Sequence, residues 1–106
     1  MRRTLPGLAL TALTALCCLP AQAQEAPLWK ARRCDACHAI ERKLIGPSFR
    51  DIAARHQGNA AMVEPLALKI RRGGGGAWGA TPMTANPHVS ETEARELARW
   101  VLSLRP

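Results

Sequence analysis

Cys34, Cys37 and His38 are the residues whose types and spacing most directly indicate chemistry. The stretch reads Cys34-Asp35-Ala36-Cys37-His38. Two thiols three positions apart lie on one face of a helical turn, so both can add to the vinyl groups of one haem. An imidazole directly after the second thiol can then reach the iron. The sequence therefore predicts a c-type haem attachment site with His38 as the proximal ligand.

Other sites also contain paired cysteines. A dithiol redox pair of the thioredoxin kind needs a strand before it and a long helix after it, whereas the pattern here is helical throughout. A zinc site needs two further soft or imidazole ligands at short spacing, and the remaining cysteines, Cys17 and Cys18, lie in a segment that we expect to be removed. The histidine after Cys37 therefore favours haem over a redox pair, a zinc half-site or chance.

Residues 1–23 have the pattern of a cleaved signal peptide. A basic start at Arg2 and Arg3 is followed by an apolar stretch over residues 5–19 and by Ala-Gln-Ala at 21–23. The apolar run is shorter than the roughly 20 residues of a membrane span, so we expect no retained anchor. Neither Cys17 nor Cys18 follows the small residue that a lipoprotein signal usually has at that point, which argues against lipid attachment. The mature domain is then residues 24–106, exported to the periplasm.

Charge and length limit what the mature chain can do. Without Arg2 and Arg3 the formal charge falls from +7 to +5. An excess of this size suits steering toward an acidic partner protein, and no basic run is interleaved with aromatics, so nucleic acid is not expected. Because 83 residues are close to the lower limit for a self-sufficient core, we expect haem to complete the core.

Hydrophobic periodicity predicts an all-α domain of four short helices. The expected bounds are about Ala26 to Cys34, Ser48 to His56, Ala60 to Arg71, and Ser90 to the terminus, where Ser90 and Glu93 form a capping box. Four glycines at 73–76 end the third helix, and residues 77–88 are expected to form a loop. The expected inward-facing residues are Leu28, Trp29, Phe49, Ile52, Ala53, Met62, Val63, Leu66, Ala67, Ile70, Ala94, Leu97, Ala98, Val101 and Leu102.

Met83 is the candidate for the second iron ligand. It lies in a polar, proline-containing loop, where a long apolar side chain has no helix face to join. A thioether on the iron raises the reduction potential and blocks external ligands. Met62 is a rival, although its spacing on a predicted helix favours core packing. His56 and His88 would give a bis-histidine haem, although both fit surface or loop positions.

The attachment motif occurs together with Ile45-Gly46-Pro47, Trp78-Gly79, Pro82-Met83, Asn86 and the segment 96–103. In combination these motifs resemble the small bacterial class I c-type cytochromes, the cytochrome c-551 group. The resemblance covers essentially the whole mature chain, and Met83 follows His38 by 45 positions, which is similar to that group. It implies the cytochrome c fold, about four short helices wrapped around one covalently attached haem c, with the terminal helices crossing.

The resemblance also implies a role for individual residues. His38 and Met83 would be the axial iron ligands, and the Pro47 carbonyl would accept a hydrogen bond that orients the imidazole. Trp78 would donate its indole N–H to a haem propionate, with Lys69 as a charged companion, although plain core packing also fits this tryptophan.

The resemblance also implies that Asn86 supports the methionine loop, the loop of residues 77–88 that carries Met83. The chain departs from the family after Met83, because Thr84-Ala85 stand where relatives often carry prolines. We therefore expect a less rigid loop, and an iron–sulfur bond that loosens under mild alkali or heat.

The function implied is that of a one-electron carrier between respiratory-chain components. No acid, base or nucleophile set is evident, so an enzyme is not expected. Its partners would be donor and acceptor complexes, such as a reductase or a terminal oxidase, and the mature protein would be a monomer that does not span the membrane. Two alternatives stay open: a fixed electron-transfer subunit of a larger oxidoreductase, and an enzyme or gas sensor with an open sixth iron position.

Overall fold

In a computed structural model of the protein, the structure describes residues 2–4, 7 and 26–105. These contain four α-helices and two short 3₁₀ segments. No strand occurs within these ranges, so the all-α prediction is confirmed. The elements in chain order are α1 (Leu28–Ala31), 3₁₀ segment Cys34–Ala36, α2 (Phe49–His56), 3₁₀ segment Ala60–Met62, α3 (Val63–Arg72) and α4 (Glu91–Ser103).

The predicted signal peptide, residues 1–23, falls almost entirely outside the described residues. The expected cleavage site at 21–23 and both Cys17 and Cys18 lie wholly outside them. Within the described ranges, every helix is too short or too polar to cross a bilayer.

The last helix, α4, forms the centre of the fold. It packs against α3, α2 and α1. All five residues predicted for its inward face are buried, namely Ala94, Leu97, Ala98, Val101 and Leu102. From α3 only Ala67 is buried, while its other predicted core residues, Val63, Leu66 and Ile70, are half-buried against the same cluster. The inward face of α4 is therefore fully covered by the protein, whereas the inward face of α3 keeps some apolar surface exposed.

Val89 is a core residue that the helical periodicity did not identify. It precedes the cap residue Ser90 and is 1% exposed, in the same cluster as Ala94. An apolar residue just before a helix cap commonly packs on the fourth helical residue, which is the hydrophobic staple. The Val89 and Ala94 positions match that pattern, so the sequence did carry a signal for this contact.

Three aromatic side chains connect the first, second and last helices. Trp29 of α1 stacks on Trp100 of α4, with ring centroids 5.7 Å apart and planes 9° from parallel. Phe49, the first residue of α2, meets both rings edge to face at 5.6 and 5.1 Å. Aromatic pairs at these separations contribute about 0.5–1.5 kcal/mol each beyond their buried area. The cluster fixes the short helix α1 on the much longer α4.

Three predicted helices have shorter bounds than expected. The first ends at Ala31, because Arg33 takes a left-handed conformation with φ 65° that a right-handed helix cannot continue. The third begins as a 3₁₀ turn in which the Ala61 amide donates to the Asn59 side chain, and it becomes α-helical at Val63. The last helix stops at Ser103, since Leu104 is extended.

The amino-terminal end of α4 is tied to the attachment segment through Glu93. The predicted capping box is present: Glu93 N–H donates to Ser90 Oγ, and Ser90 N–H donates to Glu93 Oε1, both at 3.1 Å. Arg32, two residues before Cys34, donates through Nε to Glu93 Oε2 at 2.7 Å. The pKa of Glu93 lies below its ordinary value, mainly because Arg32 donates this hydrogen bond to the carboxylate.

We expect Glu93→Gln to lower the melting temperature at neutral pH. A carboxylate with a depressed folded-state pKa stabilises the fold above the ordinary carboxyl range, and this contribution is lost as the pH falls through the folded pKa. The difference between variant and wild type should therefore shrink in acid. Melting curves from neutral to acidic pH measure it, with Glu96→Gln, an exposed carboxylate on the same helix, as the control. A pH-independent difference would contradict this account.

Candidate functional site

The two cysteines of the attachment motif lie on one helical turn, as predicted. Arg33 redirects the chain after α1, and the 3₁₀ segment Cys34–Ala36 follows. The carbonyl of Cys34 accepts hydrogen bonds from the amides of Cys37 at 3.2 Å and His38 at 2.9 Å. Both cysteines are half-buried, and neither forms a disulfide in the described residues. The turn therefore holds the backbones of Cys34, Cys37 and His38 close together.

Cys34 also contacts the hydrophobic core. It packs against the buried cluster of Ala67, Val89, Ala94, Leu97 and Ala98. Burial raises the pKa of its thiol above the ordinary value. A group attached to this sulfur would therefore lie beside the core of the domain and not out in solvent.

His38 is held in one orientation by the residues around it. The residue is 8% exposed, and its Nδ1 lies 2.7 Å from the carbonyl oxygen of Pro47. A carbonyl can only accept a hydrogen bond, so Nδ1 must carry the proton. In the neutral ring Nε2 then has its lone pair available for a metal. The ring also stacks on Phe49 at a centroid distance of 5.1 Å and an interplanar angle of 21°.

Gly46 makes room for the imidazole. A Cβ atom at this position would lie 2.5 Å from His38 Cε1 and 2.9 Å from Nδ1, closer than real Cβ contacts allow. The amide of Gly46 donates to the carbonyl of Cys37 at 2.8 Å, which brings its backbone against the attachment turn. Only a glycine therefore fits between this loop and the ring.

The start of α2 fixes the carbonyl that holds His38. Ser48, directly after Pro47, is 1% exposed and caps the helix by accepting from the amide of Asp51 at 3.0 Å. The amides of Phe49 and Arg50 donate at 3.0 Å to the carbonyls of Ala39 and Ile40, in the loop that follows His38. The first amide groups of a helix lack partners within it, and here they bind the attachment loop instead.

Met83 lies in a loop that is bonded to the end of α3. It is half-buried, and its backbone forms an isolated antiparallel bridge with Gly74. The Met83 amide donates to the Gly74 carbonyl at 2.7 Å, and the Gly74 amide donates to the Met83 carbonyl at 3.0 Å. The sequence predicted an irregular loop here and did not identify this pairing, because no local pattern marks a single bridge.

Asn86 connects the same loop to α3 through its side chain. Its Nδ2 donates to the carbonyl of Ile70 at 2.9 Å and to that of Thr84 at 3.2 Å. Its amide donates to the carbonyl of Arg71 at 3.1 Å. The loop is therefore bonded to the last turns of α3 on both sides of Thr84.

Trp78 is not a core residue, since it is 37% exposed. The guanidinium of Arg55 lies 3.3 Å from the centre of its ring, and Arg55 also donates to the Ala77 carbonyl at 2.5 Å. Lys69 is half-buried, with its ammonium group near Gly74. The role of Arg55 was not predictable from the sequence, because its position on α2 gives no sign that it meets a loop 22 residues later.

The rival ligands occupy other environments. His56 is half-buried at the end of α2, and His88 is exposed with its Nε2 3.2 Å from the carbonyl of Arg32. Met62 is half-buried in the 3₁₀ segment before α3. Over residues 26–105 and the few described before them, no three side chains from His, Cys, Asp or Glu are grouped as a metal site would require.

The residues present fit a covalently held haem. Two cysteines share one turn with an imidazole whose Nδ1 binds the Pro47 carbonyl, which leaves Nε2 as the nitrogen for a metal, and Cys34 lies against the core. Leu66 and Ile70 leave apolar surface partly uncovered on the same cluster. A porphyrin needs thioether anchors, an iron ligand and apolar contacts, and all three types of group occur here.

Comparisons with known proteins agree with this site. A family model described as Cytochrome c matches residues 26–105. Cytochrome c-551 from Azotobacter vinelandii is 51% identical over 76 residues, covering 72% of this chain and 92% of that protein. Cytochrome c-551 from Stutzerimonas stutzeri is 45% identical over 92 residues, covering 86% and 88%. The crystal structure of wild-type Nitrosomonas europaea cytochrome c552 matches with a TM-score of 0.70 and 42% identity over 74% of this chain and 96% of that one.

Proposed function

The chain belongs to the cytochrome c family and is an electron carrier with one haem c on Cys34 and Cys37, and on this basis we propose that His38 and Met83 are its two axial iron ligands. When bound, the haem supplies an iron that changes reversibly between the ferrous and ferric states. The chain has the cytochrome c fold and is not an enzyme.

The hydrogen bond from His38 to Pro47 is the observation that carries this proposal. It fixes the tautomer in which Nε2 can bind a metal, and metal-bound histidines almost always donate their other nitrogen in this way. Stacking on Phe49 and the close approach of Gly46 leave the ring little freedom to turn. A ligand held so firmly needs little rearrangement when the iron changes charge.

Met83 is proposed for the other side of the iron. Its half-buried position, the bridge to Gly74 and the hydrogen bonds of Asn86 support a fixed loop around it. A second protein ligand would leave the iron no open position for a substrate or a gas, as an electron carrier requires. We also propose that Trp78 and Lys69 serve the haem propionates, with Arg55 holding the indole in place.

Partner proteins are proposed to dock beside the attachment loop. Leu44 and Ile45 are 39% and 61% exposed, and both follow the exposed cations Arg42 and Lys43. An apolar patch next to positive charge suits a partner with an acidic rim around an apolar contact. We propose donor and acceptor proteins of the respiratory chain as those partners.

The periplasm is the proposed location. Residues 1–23 have the composition of a signal peptide, and the family match begins at residue 26, just after the proposed cleavage site. The mature domain would then be residues 24–106. Mass spectrometry of the exported protein tests this point, because the proposal requires Gln24 as the first residue together with one covalent haem.

Carbon monoxide binding to the reduced protein tests the ligation. We expect the wild type to bind it weakly, because Met83 occupies the position that the gas needs, and Met83→Ala to bind it on the order of tenfold more tightly or better. Met62→Leu is the matched control and should behave as the wild type. Wild-type binding as tight as that of Met83→Ala would show that the sixth position is open, as in a gas sensor or a peroxidase.

A further inference from the structure

Gly73 has a backbone conformation that other residues rarely adopt. It is the residue after α3, with φ 69° and ψ −162°, and its amide closes the helix on the carbonyl of Lys69 at 2.8 Å. Positive φ with ψ near 180° is essentially restricted to glycine. A side chain here would therefore force the end of α3 into a different path.

The space beside Gly73 is occupied by the backbone of the methionine loop. A Cβ atom at Gly73 would overlap the carbonyl oxygen of Met83 and would lie 2.7 Å from the amide nitrogen of Ala85 and 2.9 Å from the carbonyl carbon of Thr84. These are main-chain atoms, so no rotamer change could relieve the overlap. The loop itself would have to move away from the helix.

Hydrogen bonds of the next residue, Gly74, stabilise the same contact between the end of α3 and the methionine loop. Gly74 exchanges two hydrogen bonds with Met83, and these bonds can form only while the two backbones stay in direct contact. The segment that follows the methionine is Thr84-Ala85, which contains no proline to stiffen it. Close packing against Gly73 is therefore an alternative source of rigidity for this loop.

We propose that Gly73 is a positioning residue for Met83: its lack of a side chain lets the end of α3 hold the methionine backbone in place, and so keeps the sulfur on the iron. The inference rests on the proposed function, since it takes Met83 as an iron ligand. In this role Gly73 acts through the backbone of residues 83–85.

Gly73→Ala tests the proposal, with Gly75→Ala as its matched control. Gly75 lies two residues along in the same glycine run, its φ is not positive, and a Cβ there would meet Pro82 at an ordinary 3.6 Å. The first measurement is the long-wavelength charge-transfer band of the ferric protein, which marks an iron–methionine bond, followed as temperature rises. We expect Gly73→Ala to lose the band at a lower temperature than the wild type, and Gly75→Ala to match the wild type.

Amide hydrogen exchange gives a second readout that does not depend on the haem spectrum. The amides of Gly74 and Met83 should be protected together in the wild type, and both should exchange roughly tenfold faster or more in Gly73→Ala. Unprotected amides in the wild type would overturn the inference even if the variant failed to fold. Equal behaviour of the two alanine variants would overturn it as well. A wild type without the band would instead refute the Met83 ligation, a separate failure that also removes the role of Gly73.

Discussion

The double variant Cys34→Ala, Cys37→Ala is expected to show no cooperative thermal transition. Without thioether bonds the haem is not retained, and the domain must then fold on its own core. The fully buried cluster around Cys34 consists of Ala67, Val89, Ala94, Leu97 and Ala98, of which three are alanines. Alanine side chains bury little area, and a core in a domain of this size rarely supplies more than about 3–5 kcal/mol.

Several larger apolar side chains are only half-buried, which also indicates that the protein alone forms a small core. They are Leu28, Trp29, Val63, Leu66 and Ile70. An apolar macrocycle tethered at Cys34 and Cys37 would cover such surface, at about 25 cal/mol per Å² removed from water. The haem should therefore be a structural component of this domain as well as its redox centre.

Far-UV circular dichroism against temperature measures this effect. The single variant Cys37→Ala, which retains one thioether, is the control and should melt cooperatively at a reduced temperature. A sharp melt of the double variant close to that of the wild type would show that the protein core is sufficient without haem.

Gly46→Ala is expected to destabilise the holoprotein and to displace the His38 ring. The new Cβ would lie 2.5 Å from His38 Cε1, and the ring cannot step aside, because Pro47 binds its Nδ1 and Phe49 covers one face. Overpacking in a rigid environment costs about 1–3 kcal/mol. Loss of the bond to Pro47 would add about 0.5–1.5 kcal/mol.

The expected result for Gly46→Ala is therefore a holoprotein that is less stable and whose imidazole is displaced. Chemical denaturation measures the free energy of unfolding, and the NMR signal of the His38 Nδ1 proton reports the bond to Pro47. Ile45→Ala is the control, because this neighbour is 61% exposed and its truncation should change neither measurement. An unchanged Nδ1 proton signal in Gly46→Ala would show that the loop relaxes without disturbing the ring.

Features encoded by neighbouring residues were predictable from the sequence. The capping residues Ser48 and Ser90 begin α2 and α4 where expected, and the buried face of α4 follows its 3.6-residue period. The attachment turn was also predictable, because the spacing of Cys34, Cys37 and the following histidine is a property of the haem itself.

Features that depend on distant residues were not predictable in the same way. The bridge between Gly74 and Met83 depends on how α3 and the loop meet, and the contact of Arg55 with Trp78 joins two elements through one exposed side chain. The early end of α1 follows from the conformation of Arg33, where the residue type gives no warning, since arginine rarely adopts positive φ.

The most direct measurement of the central claim is the proton NMR spectrum of the ferrous protein with labelled methionine methyl groups. A methyl on a sulfur bound to haem iron lies over the macrocycle, so its signal is shifted far upfield by the ring current. We expect one such signal, retained in Met62→Leu and absent in Met83→Ala, with the His38 ring signals also shifted by the haem. An upfield methyl that disappears in Met62→Leu, or none at all, would contradict an iron held between His38 and Met83.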